Sequence, residues 1–226
     1  MKRYFAAARV AIFLAALVLP PKQSAVRKHS QYVSADIATA SDIQYPVNTM
    51  SVGAVSLLLN LDTSARIQNV QVLRDFPSLT STVQAAVQGW TFKPATLNGH
   101  AVSSSISVTV IFNIFNPGGG AASRALALAP AQSIPPDALE FAPPQIVAAS
   151  FANYPANSVA QGSVVLDVTV SEESQPKTIR VLRGIQTLAS QAVSAVKAWG
   201  FNAGTLHGKP ITSQIVIAFV FQRNMS

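Results

Sequence analysis

The chain repeats itself, and this repeat constrains its fold more than any other feature. Tyr45-Pro46 recurs 109 positions later as Tyr154-Pro155, and the same spacing holds without a gap to the end of both copies. Further residues recur at this spacing: Gly53 with Gly162, Trp90 with Trp199, Phe92 with Phe201, Gly99 with Gly208, and Phe112 with Phe221. Self-similarity at one fixed spacing indicates one structural unit built twice.

Each copy predicts the order strand, strand, helix, strand. In the first copy, apolar residues alternate from Val55 to Leu61, which is typical of a strand buried on one face. A second strand is centred on Val70 and Val72, and a long last strand closes the copy. The patterns predict an α+β fold of two tandem modules, each a three-stranded antiparallel sheet with a helix packed on one face.

Apolar residues at helical spacing predict the helix of each copy. In the first copy they are Leu79, Val83, Ala86, Val87 and Trp90, and in the second Leu188, Ala192, Ala195, Val196 and Trp199. Ser78 and Thr187 are the predicted N-caps, because a hydroxyl at the N-cap accepts a hydrogen bond from a free helix N–H. Trp90 and Trp199 share the apolar face, which favours a core position over a binding platform.

The N-terminus predicts export across a membrane. Three basic residues, Lys2, Arg3 and Arg9, precede an uninterrupted apolar run at residues 10–19. Such a run is shorter than the roughly 17–25 residues of a membrane span and is typical of a signal peptide. Residues 1–35 are therefore predicted to be a cleaved export signal or an uncleaved N-terminal anchor. Either places the rest in the periplasm, or at the inner membrane facing the periplasm.

The charge pattern argues against a nucleic-acid partner. Of the 16 basic residues, six precede position 30, so the remainder carries ten basic and nine acidic residues. A nucleic-acid binder needs a basic patch on its folded part, and this sequence shows none. The absence of cysteine excludes disulfides and thiolate metal sites.

Composition sets the predicted domain limits. Residues 42–114 form the first module and residues 149–223 the second. Residues 115–148 between them are rich in Pro, Gly and Ala, which is a linker composition.

Residues that could carry chemistry are scattered. His29, His100 and His207 do not have the spacing of a metal site, and Glu172-Glu173 occupies a predicted turn. The glycine run at 118–120 lacks the lysine of a phosphate-binding loop and reads as a hinge. No catalytic residue, metal site or cofactor is predicted, and the chain is not expected to be an enzyme.

The ordered motifs of both copies resemble the C-terminal domain of TonB, the periplasmic energy transducer. The first copy matches best, and the residues that carry the resemblance are Tyr45, Pro46, Gly53, Trp90, Phe92, Pro94 and Gly99. The second keeps Tyr154, Pro155, Gly162, Trp199, Phe201 and Gly208. It has Asn202-Ala203-Gly204 where the first has Lys93-Pro94-Ala95, so its turn after the helix is expected to differ.

The resemblance implies a role in transmembrane transport through protein binding. In the family, the last strand offers its edge to a short peptide of an outer-membrane transporter, which is recognition by β-augmentation. The residues that would form these edges are Val102, Ser104, Ile106, Val108, Val110 and Phe112 in the first copy. In the second they are Ile211, Ser213, Ile215, Ile217, Phe219 and Phe221.

Two functions remain open at this point. The first is a periplasm-facing TonB-like protein that binds extended segments of an outer-membrane transporter or other envelope protein. The second is a structural or self-association module of the cell envelope, with a homodimer as one expected form. In the second reading the last strands complete the sheets or pair with each other, because sheet edges are usually protected.

Overall fold

The structure is a computed structural model that describes residues 31–223, apart from residues 48, 116–124, 127–133, 135, 138 and 156–157. The predicted export segment up to residue 30, His29 and the glycine run at 118–120 lie outside the described residues. Within the described ranges, neither helix has the length and apolar character needed to cross a membrane.

The first copy contains eight strands and one helix. They are β1 (Tyr32–Val33), β2 (Asp36–Thr39), β3 (Gly53–Leu61), β4 (Ile67–Arg74), α1 (Thr80–Val87), β5 (Thr91–Lys93), β6 (Ala95–Leu97), β7 (His100–Val102) and β8 (Ser104–Phe115). The predicted order of strand, strand, helix and strand is present, with a small hairpin added between the helix and the last strand.

The second copy repeats this order after a short strand, β9 (Ala125–Leu126), in the connecting segment. Its elements are β10 (Phe141–Ala142), β11 (Gln145–Ser150), β12 (Gly162–Val170), β13 (Pro176–Arg183), α2 (Gln186–Lys197), β14 (Gly200–Asn202), β15 (Gly204–Leu206), β16 (Lys209–Ile211) and β17 (Ser213–Arg223).

The two modules share one central sheet. Its strand order is β13-β12-β17-β8-β3-β4, so each module contributes three strands that pair antiparallel. The last strands, β8 and β17, pair parallel from Val108 opposite Val216 to Phe115 opposite Arg223. The two predicted three-stranded sheets are therefore joined into a single sheet.

The helices pack on opposite faces of this sheet. In β17, Val216, Ala218 and Val220 belong to the core that contains the α1 residues Val83 and Val87. The intervening residues of β17 belong to the core under α2, and they are Ile215, Ile217, Phe219 and Phe221. Successive residues of a strand point to opposite faces, so each core extends across the junction between the modules.

Short strands extend each module beyond the predicted limits. β1 pairs with β6 and β2 with β5, while β10 pairs with β15 and β11 with β14 in the same registers. Residues 141–148, predicted as linker, are thus part of the second module, and residues 32–39 are part of the first. Their strands are short, and Pro143-Pro144 interrupts the apolar alternation that would reveal a strand.

The helix starts differ from the prediction. α1 begins at Thr80 with Leu79 at the N-cap, and α2 begins at Gln186, so Ser78 precedes the cap and Thr187 lies inside the helix. Ser78 instead donates to Ser51 Oγ at 2.9 Å. A compact turn before α1 satisfies the first helix N–H instead, since the Thr80 N–H donates to the Phe76 carbonyl at 3.0 Å.

The turn after the helix has the same strands in both copies, contrary to the expected difference. β14 and β15 sit at the positions of β5 and β6. Gly204 allows this close packing, because a Cβ there would lie 3.0 Å from the carbonyl oxygen of Ala142 and 2.3 Å from Ser213 Oγ.

Candidate functional site

The last strands, expected to offer edges, occupy the middle of the sheet. β8 pairs with β3 on one side and β17 on the other, and β17 pairs with β12 and β8. Val102 and Ile211 lie in the preceding strands β7 and β16. The other predicted edge residues are buried, namely Ser104, Ile106, Val108, Val110, Phe112, Ser213, Ile215, Ile217, Phe219 and Phe221. The predicted edges are corrected accordingly: in this structure the last strands pair with each other.

We call the parallel pair of β8 and β17 the seam. Both of its faces are buried, with Val110 and Ala218 in one core and Ile111 and Phe219 in the other, all 0% exposed. A peptide could pair with residues 108–115 of β8 or residues 216–223 of β17 along this side only if the seam separated and exposed both cores.

The N-terminal strands close the end of the seam where β8 and β17 begin. Tyr32 shares a hydrogen bond of 2.7 Å with Ser104 Oγ, and its ring lies 4.9 Å from that of Phe141. Ser34 hydrogen bonds to the Gln214 side chain and accepts a hydrogen bond from the Gln214 N–H at 3.3 Å. Residues at the start of both modules therefore fill the space beside the first residues of the last strands.

A charged cluster, which we call the strap network, joins β2 of the first module to the second module. Arg180 donates to Asp36 at 2.9 Å and to Asp167 at 2.8 Å, and Lys93 lies 3.2 Å from Asp36. Asp167 is 6% exposed, and burial raises the pKa of its carboxyl despite the hydrogen bond from Arg180. The strap network thus places the carboxyl of Asp167 between the modules, with its burial only partly compensated by Arg180.

Asp42 makes a second polar link between the modules. Its carboxylate accepts hydrogen bonds from the side chain and the N–H of Ser163 and lies 3.5 Å from Arg183. Burial would raise the pKa of Asp42, but the Ser163 hydrogen bonds and the Arg183 charge outweigh it and hold the pKa below its usual value. The Ile43 N–H donates to Ser163 Oγ at 3.2 Å and completes the link.

The positions equivalent to the strap network carry no charged residue. Gln145 and Gln71 occupy the positions of Asp36 and Arg180, so the equivalent ion pairs do not form there. Instead Leu58, at the position of Asp167, packs with Leu73 and Ile134. The two copies are therefore related in backbone but differ in the chemistry of their contacts.

The tyrosine of each Tyr-Pro motif fixes a loop beside the seam. Tyr45 donates to the carbonyl of Ser51, and Tyr154 donates to the equivalent carbonyl of Ala160. The two rings pack edge-on against the last strands, 5.2 Å from Phe112 and 5.9 Å from Phe221. Burial raises the pKa of Tyr45 to about 12. The motif therefore acts within each module, with Pro46 and Pro155 in the half-buried loop.

The tryptophans and phenylalanines of the motif belong to the cores. Trp90 is 4% exposed and Trp199 5% exposed, and Phe92 and Phe201 pair with β2 and β11. Trp199 Nε1 donates to Ser150 Oγ at 3.3 Å, whereas Trp90 Nε1 has no partner among the described residues. These side chains stabilise the modules and are not displayed to a partner.

The motif glycines serve different purposes. A Cβ on Gly53 would lie 2.5 Å from the Phe76 ring, whereas Gly162 has φ of +129° and open space around it. The hairpin turns before the last strands contain Asn98-Gly99 and His207-Gly208, all with positive φ. One position is thus a glycine for space in the first copy and for backbone conformation in the second.

Among the described residues, the other histidines and glutamates singled out from the sequence are exposed. His207 lies 2.9 Å from Glu140 in an exposed turn, and Glu172 and Glu173 are exposed. Across the described residues, no three His, Asp or Glu side chains are grouped as metal ligands.

The outer edges of the sheet are the strands that the sequence reasoning did not single out. In the described part of the chain, β4 and β13 each have a paired neighbour on one side only. β4 and β13 are the outer strands of their own modules, and the pairing of the last strands leaves them as the two edges of the joined sheet. The sequence offered one signal, namely that both last strands are apolar and carry little charge. This signal favoured pairing between the two strands as much as binding of a partner.

Comparison with known proteins gives one family. The family described as the Gram-negative bacterial TonB protein C-terminal matches residues 44–114 and 152–222. No curated protein and no solved structure matches the chain. The two matched segments cover more than half of the chain and coincide with the two structural copies, so the chain belongs to the TonB C-terminal family, with two copies of its domain in tandem.

Proposed function

We propose that this chain is a periplasm-facing protein of TonB-like envelope transport that binds an extended segment of an envelope protein by β-augmentation at an outer edge of the joined sheet. The observation that carries the proposal is the seam. It occupies both last strands, so that backbone groups for a further strand remain at β4 and β13. Family membership supports a transport role without enzymatic chemistry.

Energetics favour the outer edges over the seam. Exposing a buried Val, Ile or Phe side chain costs about 1.5–3 kcal/mol, and the seam residues Val110, Ile111 and Phe219 are fully buried. Micromolar binding supplies only about 8 kcal/mol in total. Opening the seam would consume most of that free energy, whereas an outer edge requires no rearrangement of the cores.

Peptide titration with amide NMR tests the proposal. A peptide from the periplasmic N-terminus of an outer-membrane transporter is added to the full chain, with a proline-substituted version as the control that cannot extend a sheet. The expected result is saturable shifts in β4 or β13, with the seam amides unchanged. Shifts confined to residues 108–115 and 216–223, or no shifts with any such peptide, would contradict it.

A structural role without energy transduction is the second candidate. The seam favours it, because the strands that the family resemblance assigns to recognition are consumed by internal pairing. Sedimentation of the full chain distinguishes this candidate. If it is right, the chain forms a stable dimer or larger assembly, and the peptide titration produces no amide shifts. A monomer that binds peptide supports the first candidate.

A further inference from the structure

We infer that β4, and not β13, is the docking edge, and that it takes an uncharged extended segment in which apolar and neutral polar residues alternate. The inference rests on the proposed function and specifies the edge and the peptide chemistry. It follows from a comparison of the two outer strands, which occupy equivalent positions in the repeat.

Each outer strand offers a short regular run between two irregularities. Along β4 the register shifts on either side of residues 69–72, and along β13 it shifts on either side of residues 178–181. Bulges interrupt a ladder and turn the backbone away from a new partner. The usable docking segment is therefore four residues long on each edge: Asn69, Val70, Gln71 and Val72 in β4, and Thr178, Ile179, Arg180 and Val181 in β13.

Charge separates the two segments. Between Ile67 and Leu73, β4 carries no charged residue, whereas β13 begins with Pro176 and carries Lys177 and Arg180. Proline lacks a backbone donor, and charged residues on an edge strand oppose strand addition. Gln71 thus stands where the other edge has a cation.

Apolar exposure alone would favour β13, since Val181 is 43% exposed whereas its counterpart Val72 is half-buried. The charge of Arg180 on β13 outweighs this difference in apolar exposure. Complete burial of an apolar side chain yields about 1.5–3 kcal/mol, and Val181 has only part of its surface left to bury. A strand docked on β13 would also cover Arg180, whose guanidinium is held by Asp36 and Asp167. Taking part of that ion-paired cluster out of water costs several kcal/mol.

The side chains of β4 define the peptide. Val70 and Val72 pack against the core under α1, and Asn69 and Gln71, which alternate with them, point to the other face. A strand added beside them would place apolar residues next to the valines and neutral polar residues next to the amides. Each matched cross-strand pair contributes roughly 0.2–1 kcal/mol, so alternation over the segment sets the preference.

The test uses the full chain and an eight-residue peptide of alternating valine and threonine, followed by amide NMR. The expected result is saturable shifts in residues 69–72 with smaller or absent shifts in residues 178–181. Replacing the threonines with lysine or aspartate is expected to weaken binding by about fivefold or more, which corresponds to about 1 kcal/mol. A peptide of the same composition with a central proline serves as the control.

Matched variants of the protein locate the edge. Asn69→Lys places a cation on β4, and Thr178→Lys places one at the equivalent exposed position of β13. Asn69→Lys is expected to weaken binding of the alternating peptide by about fivefold, while Thr178→Lys is expected to change the affinity by less than about twofold. Thermal unfolding of both variants checks that the fold is retained.

The outcomes separate the inference from the function on which it rests. Peptide shifts at β13, equal shifts at both edges, or a preference for the aspartate peptide would overturn the inference and leave outer-edge binding standing. Absence of shifts at both edges with every peptide, including transporter segments, would overturn the proposed function itself.

Discussion

Gly204 shows at the scale of one residue how the second copy accommodates its own N-terminal strand. It occupies the position of Ala95, which is 1% exposed in the first copy. Around Gly204 a methyl group would meet Ser213 Oγ at 2.3 Å, the Ala142 carbonyl at 3.0 Å and the Pro144 ring at 3.1 Å. The exchange of alanine for glycine therefore compensates for the prolines of the β10–β11 connection.

Gly204→Ala is expected to destabilise the protein by about 1–3 kcal/mol, because an added methyl group in a filled site forces its neighbours apart. The matched variant Ala95→Gly is expected to cost about 1 kcal/mol through backbone entropy and a lost buried methyl. Urea unfolding measures both. An unchanged midpoint for Gly204→Ala would show that the site has free space.

Asp42 contributes stability that depends on pH. The pKa of its carboxyl is lowered in the folded state, so its contribution is complete above the unfolded value near 3.9 and is lost as the pH falls through the lower folded value. Asp42→Asn is expected to reduce the free energy of unfolding by about 1 kcal/mol at pH 7, because charged hydrogen bonds to Ser163 weaken. Urea titrations from pH 7 to 3 should show the difference narrowing below about pH 4; a constant difference would contradict this role.

At the scale of elements, β2 acts as a strap over the sheet face of the other module. Its Asp36 reaches Arg180 of β13 while the same strand pairs with β5 of its own module. Without Arg180, Asp167 would be buried with no counter-ion. One of its oxygens, Oδ1, already lacks a hydrogen-bond partner among the described residues.

Arg180→Ala is expected to destabilise the protein by about 2 kcal/mol at pH 7, less than for a fully buried pair because Arg180 is half-exposed. The pKa of Asp167, already raised by burial, should rise further. A folded carboxyl with a raised pKa binds a proton more readily than the unfolded one, so the deficit should shrink as the pH falls from 7 toward 5. A deficit that grows on acidification would exclude this account; lysine at 180 serves as the control that keeps the charge.

The long strands and the helices could be predicted from the sequence, whereas the short strands and the helix N-caps could not. Alternation in β3 and β12 and helical spacing in α1 and α2 identify elements of eight residues or more, because the buried face is long enough to leave a period. β1, β2, β10 and β11 are two to six residues long and leave no such period. The N-caps were misplaced at Ser78 and Thr187, since the apolar residues Leu79 and Ile185 occupy the N-cap positions without a side-chain cap.

The candidate site depended on tertiary pairing that no local pattern encodes. An apolar, charge-poor last strand is equally suited to bind a peptide or a second copy of itself. The repeat implies that two such strands exist in one chain, and at this effective concentration their mutual pairing is favoured over an external ligand. β4 and β13 could be identified as the two edges of the joined sheet only once this pairing was known.

At the scale of the whole molecule, the seam should make the two modules unfold together. Each module has one tryptophan, Trp90 or Trp199, in its core, so Trp90→Phe and Trp199→Phe each leave a fluorescence probe in one module. Both variants are expected to show one urea transition with a midpoint that agrees with circular dichroism, because both cores cross the seam. Separate fluorescence and circular-dichroism midpoints within one variant would indicate modules that fold independently.

The seam is the central claim, and amide hydrogen exchange tests it most directly. If β8 and β17 pair parallel at the centre of one sheet, the amides of residues 108–112 and 216–220 should be among the slowest to exchange, near the global free energy of unfolding. Those of β4 and β13 should exchange faster, in the alternating pattern of strands paired on one side. Fast alternating exchange in residues 108–112 and 216–220, with slow exchange confined to β3 and β12, would show that the last strands are free edges and would contradict the account.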